Sequence, residues 1–338
     1  MSIVISNKSL KTTGIVLLVI FLLLGLFTYY VDQYEPEDGD DTAGTEQKSD
    51  SVTQEKPVVV NEPLEGDPYK ELDDLIGLGQ VKEEVRTLAN FVKLQKQREA
   101  QGLKIPKISY HLVFTGSPGT GKTTVARIVG RIYKDLGVLK KGHTVETDRS
   151  GLVAKYMGQT ALKTDTIIQK AMNGVLFIDE AYALVPEDGS GQDYGQEAIS
   201  TLLKRMEDYR DSLVVIIAGY PDEMQRFIDS NPGLQSRFNR YISFPDYTSG
   251  ELYDIFCMYM RKNQYKLTDE ASDYLKEALD YAVAHKDRNF GNARYVRNLF
   301  EKAIQCQANR LSKTKNVGDD ELVELTATDI KSAFQEMR

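Results

Sequence analysis

An eight-residue glycine-rich segment at 116–123, GSPGTGKT, constrains the fold of this chain more than any other part of its sequence. It follows a short apolar run at 112–114 and precedes an amphipathic stretch at 123–133, which predicts a loop between a buried strand and a helix. The segment fits the pattern G-x-x-x-x-G-K-[ST], in which glycines let successive backbone N–H groups turn toward one anion. A glycine turn that binds nothing is the alternative, but the flanking strand and helix favour a phosphate-binding loop.

This loop predicts a site for ATP and Mg²⁺. Lys122 is placed to reach the β- and γ-phosphates, and the Thr123 hydroxyl is placed to coordinate the metal. The residues of the loop expected to bind the nucleotide are Gly116, Ser117, Pro118, Gly119, Thr120, Gly121, Lys122, Thr123 and Thr124.

Two acidic residues follow a second apolar run, at 175–178. An apolar run that ends in Asp-Glu is commonplace and is usually structural, but this one lies in a strand context downstream of the phosphate loop. Asp179 is expected to hold Mg²⁺, and Glu180 is expected to orient and activate the water that attacks the γ-phosphate.

The apolar pattern predicts an α/β fold. Continuous apolar runs at 112–114, 175–178 and 213–217 are typical of parallel strands covered on both faces by helices. They place an α/β domain, a parallel sheet sandwiched by helices, at residues 69–247. From residue 248 onward only helical patterns recur, which predicts a small all-helical domain at 248–338.

These residues together resemble the AAA+ ATPases, and within them the branch that contains the red-type rubisco activase CbbX and stage V sporulation protein K. The resemblance covers roughly residues 69–338. It is carried, besides the phosphate loop, by the segments DDLIGL (73–78), GVLFIDEAY (174–182), DYGQEA (193–198), AGYPD (218–222), NPGLQSRF (231–238) and GNAR (291–294).

The resemblance implies roles for residues outside the phosphate loop. Ile76 and Gly77 would lie in the segment that cups adenine. Arg237 would be the arginine finger that completes a neighbouring subunit's site in a ring, usually a hexamer, with Arg240 as a weaker candidate. Arg294 would read the γ-phosphate from the helical domain, which corresponds to the family's lid.

Two positions remain open within the resemblance. Arg297, one turn beyond Arg294, is the alternative sensor in the lid. Many members of the family place a polar sensor, often Asn, after the strand at 213–217. This chain has Ala218-Gly219-Tyr220 there, so either Tyr220 or another residue takes that role.

The segment LVAKYMGQ at 152–159 lies where the rings of the family carry their central pore loop. Tyr156 and Met157 would grip an extended polypeptide by stacking and apolar contact, which require no particular partner side chain. The alternative is that Tyr156 caps the core beneath a loop.

The apolar run GIVLLVIFLLLGLF at 14–27, extended to residue 31, is long enough to cross a bilayer as a helix. A retained membrane anchor over 14–31, within an N-terminal segment 1–31, is expected in preference to a cleaved signal or a core helix. Residues 32–68 carry twelve acidic side chains against two lysines and predict a disordered linker.

The orientation of this anchor is in conflict with one rule. Lys8 and Lys11 precede the run, and the positive-inside rule would put the rest of the chain outside the cytoplasm. An ATP site requires nucleotide, so a single-pass membrane protein with a cytoplasmic ATPase domain is expected.

The function predicted from the sequence is that of a membrane-tethered ATPase that couples ATP hydrolysis to remodelling or threading a protein partner through a ring pore. A DNA-acting motor of the same family is one alternative, but residues 69–338 have no net charge and no nucleic-acid partner is expected. A nucleotide-switch scaffold that does not hydrolyse ATP is the other.

Overall fold

The computed structural model describes residues 58–106, 108–156, 158–185 and 194–337. Their centre is a six-stranded sheet with the order β1-β3-β4-β5-β2-β6, parallel except for the antiparallel edge strand β1. The strands are β1 (Val59–Asn61), β2 (Leu112–Thr115), β3 (Thr144–Thr147), β4 (Gly174–Ile178), β5 (Leu213–Gly219) and β6 (Tyr241–Ser243). The three apolar runs seen in the sequence therefore form β2, β4 and β5, the adjacent central strands.

Helices cover both faces of this sheet. They are α1 (Pro68–Asp74), α2 (Gly79–Ala100), α3 (Lys122–Asp135), α4 (Arg149–Leu152), α5 (Thr160–Lys170), α6 (Tyr194–Asp208), α7 (Pro221–Asp229) and α8 (Pro232–Arg237), with a 3₁₀ turn at Ala181–Leu184.

Alternation along β4 shows how the core is divided. Val175 and Phe177 pack into one apolar cluster with α3, whereas Leu176 and Ile178 pack into a second cluster with α5 and α6. Every residue of β4 is buried, because helices lie on both faces of the sheet. The strand ends that carry the polar residues are consequently fixed by packing on two sides.

The strand β1 lies inside the segment 32–68 that the sequence predicts to be a disordered linker. Val59 pairs with Glu146 of β3 and Val60 with Val145, and the Asn61 side chain donates a hydrogen bond to Glu146 Oε1 at 2.5 Å. The linker prediction is wrong for these residues, because their apolar β-branched side chains favour a strand and β3 offers an edge with which it can pair. Residues 32–57 lie outside the described residues.

The C-terminal part is helical, with one addition. Its helices are α9 (Ser249–Lys262), α10 (Asp269–Ala284), α11 (Ala293–Leu311), α12 (Asp319–Val323) and α13 (Ala327–Glu336), and the short strands β7 (Lys266–Leu267) and β8 (Glu324–Leu325) pair in parallel between them. A capping box starts α9, where Thr248 and Glu251 exchange side-chain and backbone hydrogen bonds. This cap fixes the direction in which the chain leaves the α/β domain.

The predicted transmembrane helix is corrected by the structure. Among residues 58–337, gaps excepted, no helix is long and apolar enough to cross a bilayer. The longest, α2, has 22 residues, but its buried apolar side chains occupy one face, and most of its other residues are charged or polar. Residues 14–31 lie outside the described residues. The described structure therefore does not support the membrane anchor, the membrane partner or the single-pass localisation.

Candidate active site

The loop between β2 and α3 has the backbone that its glycines predict. Gly116, Gly119 and Gly121 have φ values of 149°, 71° and 94°, which L side chains rarely adopt. A Cβ on Gly116 would lie 2.3 Å from the Phe244 carbonyl oxygen, and one on Gly119 would lie 2.1 Å from the Gly291 carbonyl oxygen. The loop is therefore packed between the segment that leaves β6 and the turn that precedes α11.

Lys122 lies across this loop. Its Nζ donates hydrogen bonds to the carbonyl oxygens of Gly116 and Ser117, both at 2.8 Å, and the Thr120 hydroxyl donates to the Ser117 carbonyl at 2.8 Å. Burial lowers the pKa of Lys122, and its carboxylate neighbours, Asp179 first among them, act in the opposite direction. A phosphate entering the loop would meet a largely desolvated ammonium, where an ion pair is worth more than at the surface.

One cleft of about 270 Å³ brings together groups that the sequence predicts separately. Its walls are the phosphate loop, the two acids after β4 and the start of α11. The predicted site residues that line it are Gly116, Pro118, Gly119, Gly121, Lys122, Thr123, Thr124, Asp179, Glu180 and Arg294. Thr120 is fully buried behind the loop rather than in the cleft wall.

The two acids are held by the end of β4. The Asp179 N–H donates to the Thr147 carbonyl at 2.9 Å, which continues the β3–β4 ladder. Glu180 has a φ of 49°, and its N–H donates to Asp179 Oδ1 at 3.1 Å. A left-handed backbone at a residue other than glycine is uncommon and concentrates at functional sites. The sharp turn brings both carboxylates to the same cleft.

The cleft also suits a magnesium ion. Thr123 offers a hydroxyl oxygen and Asp179 a carboxylate oxygen, and both line this cleft. Mg²⁺ prefers oxygen ligands and is usually bound through one or two protein groups together with waters and substrate phosphates. These two residues would hold the ion.

The predicted adenine segment runs beside the loop. Gly77 and Leu78 have φ values of 61° and 57°. A Cβ on Gly77 would lie 2.3 Å from Glu251 Oε1, and one on Gly121 would lie 3.4 Å from Leu78 Cδ1. Ile76 is half-buried in the same turn. The segment thus lies between the phosphate loop and α9, and its contact with adenine stays a prediction.

The lid residue that reaches the cleft is Arg294. It is the second residue of α11, directly after Ala293, whose N–H donates to the Gly119 carbonyl at 3.2 Å. Arg297 instead pairs with Glu301 at 2.8 Å, and 61% of its side chain is exposed. Of the two alternatives that the sequence leaves open, the geometry favours Arg294.

Tyr220, at the end of β5, also lines the cleft. Its hydroxyl donates to Asn289 Oδ1 at 3.3 Å, and the Arg288 guanidinium lies 5.2 Å from the centre of its ring. The position after β5 is therefore connected to the loop between α10 and α11. A sensor role for Tyr220 stays a prediction.

Arg237 lies apart from these groups, at the end of α8, and does not line its own chain's cleft. Its Nη1 donates to the Gly233 carbonyl at 3.4 Å, and its Nη2 lies 3.6 Å from Glu207 Oε2. Its buried Nε has no hydrogen-bond partner within the described part of the chain. Arg240, the weaker candidate, lies over the Phe91 ring at 4.6 Å. The hydrogen-bonding capacity of the Arg237 guanidinium is thus only partly used within the described residues.

The predicted pore residue Tyr156 is 69% exposed, between α4 and α5. Its carbonyl accepts a hydrogen bond from the Gln159 N–H at 3.3 Å, which closes a turn. The alternative, a tyrosine capping the core, does not fit this exposure. Met157 lies outside the described residues.

Two residues around the cleft escape sequence reasoning. Asp246, in the segment between β6 and α9, is hydrogen-bonded to Lys286 and Asn292. Burial opposes these bonds, but they hold the pKa of Asp246 below its usual value. Asn292 is fully buried. The only signal in the sequence is that Asn292 stands inside the GNAR segment, where Arg294 alone was assigned.

Comparison with known proteins identifies the family of both parts of the chain. Residues 112–246 match the ATPase family associated with various cellular activities (AAA), and residues 248–338 match the AAA lid domain. Stage V sporulation protein K of Bacillus subtilis (strain 168) is 44% identical over 246 residues, which are 72% of this chain and 75% of that protein.

Two further likenesses extend the comparison. The chloroplastic ribulose bisphosphate carboxylase/oxygenase activase of Cyanidioschyzon merolae is 46% identical over 260 residues, covering 76% of this chain and 87% of that one. The crystal structure of the FIGL-1 AAA domain in complex with ADP has a TM-score of 0.59 at 18% identity, covering 83% and 87%, and shows the same fold. From its family matches and its relatives, the chain belongs to the AAA family of ATPases.

Proposed function

We propose that this ATP hydrolase of the AAA family assembles into a ring and uses ATP hydrolysis to remodel or thread a protein partner through the ring's pore. One relative is named for activating ribulose bisphosphate carboxylase/oxygenase, which is itself a protein. The proposal takes from that relative only the class of target. The observation that carries it is the exposed Tyr156 on the loop between α4 and α5.

The chemistry assigns a role to each group in the cleft. Lys122 binds the β- and γ-phosphates, and Glu180 accepts a hydrogen bond from the attacking water and orients it. Thr123 and Asp179 would hold Mg²⁺, which when bound neutralises phosphate charge. Arg294 contacts the γ-phosphate from the lid and couples its loss to lid movement.

A second copy of the chain supplies the remaining cation. Arg237 lies outside its own cleft, and its guanidinium is held by long contacts, 3.4 Å to the Gly233 carbonyl and 3.6 Å to Glu207, which it can exchange for a neighbour's γ-phosphate. An arginine provided in trans is worth about 10³–10⁵ in rate in well-studied nucleotidases. Head-to-tail contacts of this kind form a ring when the rotation between neighbouring subunits closes, and the family resemblance favours a closed ring, usually a hexamer.

Tyr156 provides the grip on the partner. An aromatic side chain that is largely exposed on a tight turn buries apolar area only when another molecule covers it. Stacking on an extended polypeptide is tolerant of sequence.

The test uses a trapped complex. Glu180→Gln is expected to bind ATP without hydrolysing it and so to retain its protein partner. A photoreactive amino acid placed at position 156 of this variant should then crosslink to that partner in the presence of ATP. A Lys122→Ala background, which cannot bind ATP, serves as the control.

Side-chain variants separate gripping from hydrolysis. Tyr156→Ala should abolish retention while leaving ATP turnover in the absence of partner within about twofold, and Tyr156→Phe should restore retention, because the aromatic face is the gripping surface. Leu322→Ala, at another apolar side chain that is 53% exposed, is the matched control. With both measured in the Glu180→Gln background, equal retention by chains with Tyr156→Ala and with Tyr156 unchanged would refute the pore role.

A further inference from the structure

We propose that Asn292 is a positioning residue for ATP hydrolysis. Its buried amide joins the phosphate loop, the segment between β6 and α9, and the turn before α11, and so places Arg294 in the cleft. The inference rests on the proposed role of Arg294. It concerns a residue that does not line the cleft.

The backbone of Asn292 is the first observation. Its φ and ψ are 47° and −121°, and the residue is fully buried. This combination lies outside the regions open to L residues and is readily adopted only by glycine. A strained residue other than glycine persists only where its surroundings fix it. The position therefore keeps an asparagine for its side chain rather than for its backbone.

The contacts of the side chain are the second observation. Oδ1 accepts a hydrogen bond from the Tyr247 N–H at 3.0 Å. Nδ2 lies 3.0 Å from Asp246 Oδ1, 3.1 Å from the Phe290 carbonyl and 3.3 Å from the Pro118 carbonyl, so its two N–H groups are shared among three acceptors. One amide thus bonds the phosphate loop, the segment between β6 and α9, and the turn before α11.

Backbone contacts also hold the phosphate loop against the turn before α11, and we call this contact region, together with the Asn292 amide, the junction. The Ala293 N–H donates to the Gly119 carbonyl at 3.2 Å. The close approach of Gly119 to Gly291 leaves no room for a side chain. Arg294 stands two residues beyond Asn292, in the first turn of α11. Its position in the cleft is therefore set by the junction, and a loose junction would misplace the guanidinium.

A matched control lies on the same helix. Gln307 is 4% exposed, and its Nε2 donates to the carbonyls of Glu321, Leu322 and Glu324 at 3.1, 3.2 and 2.9 Å. Like Asn292, it is a buried lid amide that bonds three acceptors, but all of these lie in the lid. Asn292→Asp and Gln307→Glu make the same change, since each replaces an NH₂ donor with an acceptor oxygen.

The test compares steady-state ATP hydrolysis by the full chain carrying each change, with thermal unfolding recorded for both. Asn292→Asp should lower kcat about tenfold or more while changing KM for ATP less than about threefold, because the donors that hold the junction are lost. Gln307→Glu should lower thermal stability and leave kcat within about twofold. Equal kcat values for these two variants would overturn the inference.

A double-mutant cycle separates positioning from general damage. If Asn292 acts through Arg294, then Asn292→Asp combined with Arg294→Ala should be no slower than Arg294→Ala alone, within about twofold. If the double variant instead loses kcat by the product of the two single losses, the inference is overturned. An unchanged kcat in Arg294→Ala alone would instead refute the proposed role of Arg294.

Folding failure is covered by a second variant. Asn292→Gly removes the amide but suits the positive φ, so it should fold and show the same loss of kcat. If neither Asn292 variant folds while Gln307→Glu does, Asn292 is a structural residue and the inference fails.

Discussion

Gly119→Ala is expected to separate the lid from the phosphate loop, and the structure sets the size of the effect. The new Cβ would lie 2.1 Å from the Gly291 carbonyl oxygen and 3.0 Å from the backbone nitrogen of Arg294. Ordinary contact begins at 3.4 Å, so the two backbones must move apart by about 1 Å. A misplacement of ~1 Å at a catalytic group costs on the order of 10²-fold in rate. We therefore expect kcat to fall about 100-fold.

Gly102→Ala is the matched control for this substitution. Gly102 has a φ of 72° against 71° for Gly119, but a Cβ there would meet nothing within 4 Å. Both variants bear the same backbone penalty, roughly 1–2 kcal/mol of stability for alanine in the left-handed region. Only Gly119→Ala adds the clash with the lid.

The assay is steady-state ATP hydrolysis by the purified chain, accompanied by thermal unfolding and by ADP binding. Binding of ADP by Gly119→Ala would show that the phosphate loop itself remains intact. Gly102→Ala should lose similar stability and keep kcat within about twofold of wild type. Equal kcat values for the two variants would refute the contact-based reasoning.

Two further predictions concern pH and metal. Burial lowers the pKa of His111 from 6.5 to about 4, so the stability that the neutral ring provides is complete above pH 6.5 and is lost as pH falls toward 4. By pH 5 the loss amounts to about 2 kcal/mol relative to pH 7.5. His111→Gln, which keeps an acceptor for the Val215 N–H, should show a correspondingly shallower decline in urea unfolding; an unchanged decline would contradict this. Asp179→Asn should raise the Mg²⁺ concentration that gives half-maximal turnover about tenfold, because one carboxylate ligand is lost. A magnesium titration that superimposes on wild type would exclude Asp179 as the ligand.

The phosphate loop and the three central strands could be predicted from the sequence because their signals are local. Glycines at 116, 119 and 121 indicate positive φ values at their own positions, and continuous apolar runs indicate strands covered on both faces. The same locality explains why Asp179 and Glu180 could be expected beside the loop, since both follow a buried strand directly.

The junction at Asn292 could not be predicted in this way. Pro118, Asp246 and Asn292 are far apart in the chain, with 174 positions between the first and the last. Their contact depends on how the lid packs, which no single segment reports. The edge strand β1 was missed for a related reason, because three residues in an acidic segment carry little signal until they meet β3.

We expect each active site to be completed by Arg237 of a neighbouring copy, and assemblies that mix two inactive variants test this expectation. Glu180→Gln and Arg237→Ala should each be nearly inactive alone. In a mixture, an Arg237→Ala subunit that keeps Glu180 receives the arginine of a Glu180→Gln neighbour.

The measurement is ATP turnover after the two variants are mixed in equal amounts. Random assembly of a ring with head-to-tail sites should restore about a quarter of the wild-type sites. Co-purification of wild-type subunits with differently tagged Glu180→Gln subunits from such a mixture verifies that subunits exchange. Turnover that rises toward a quarter of wild type is the predicted result; a mixture that stays inactive although subunits exchange would contradict the account.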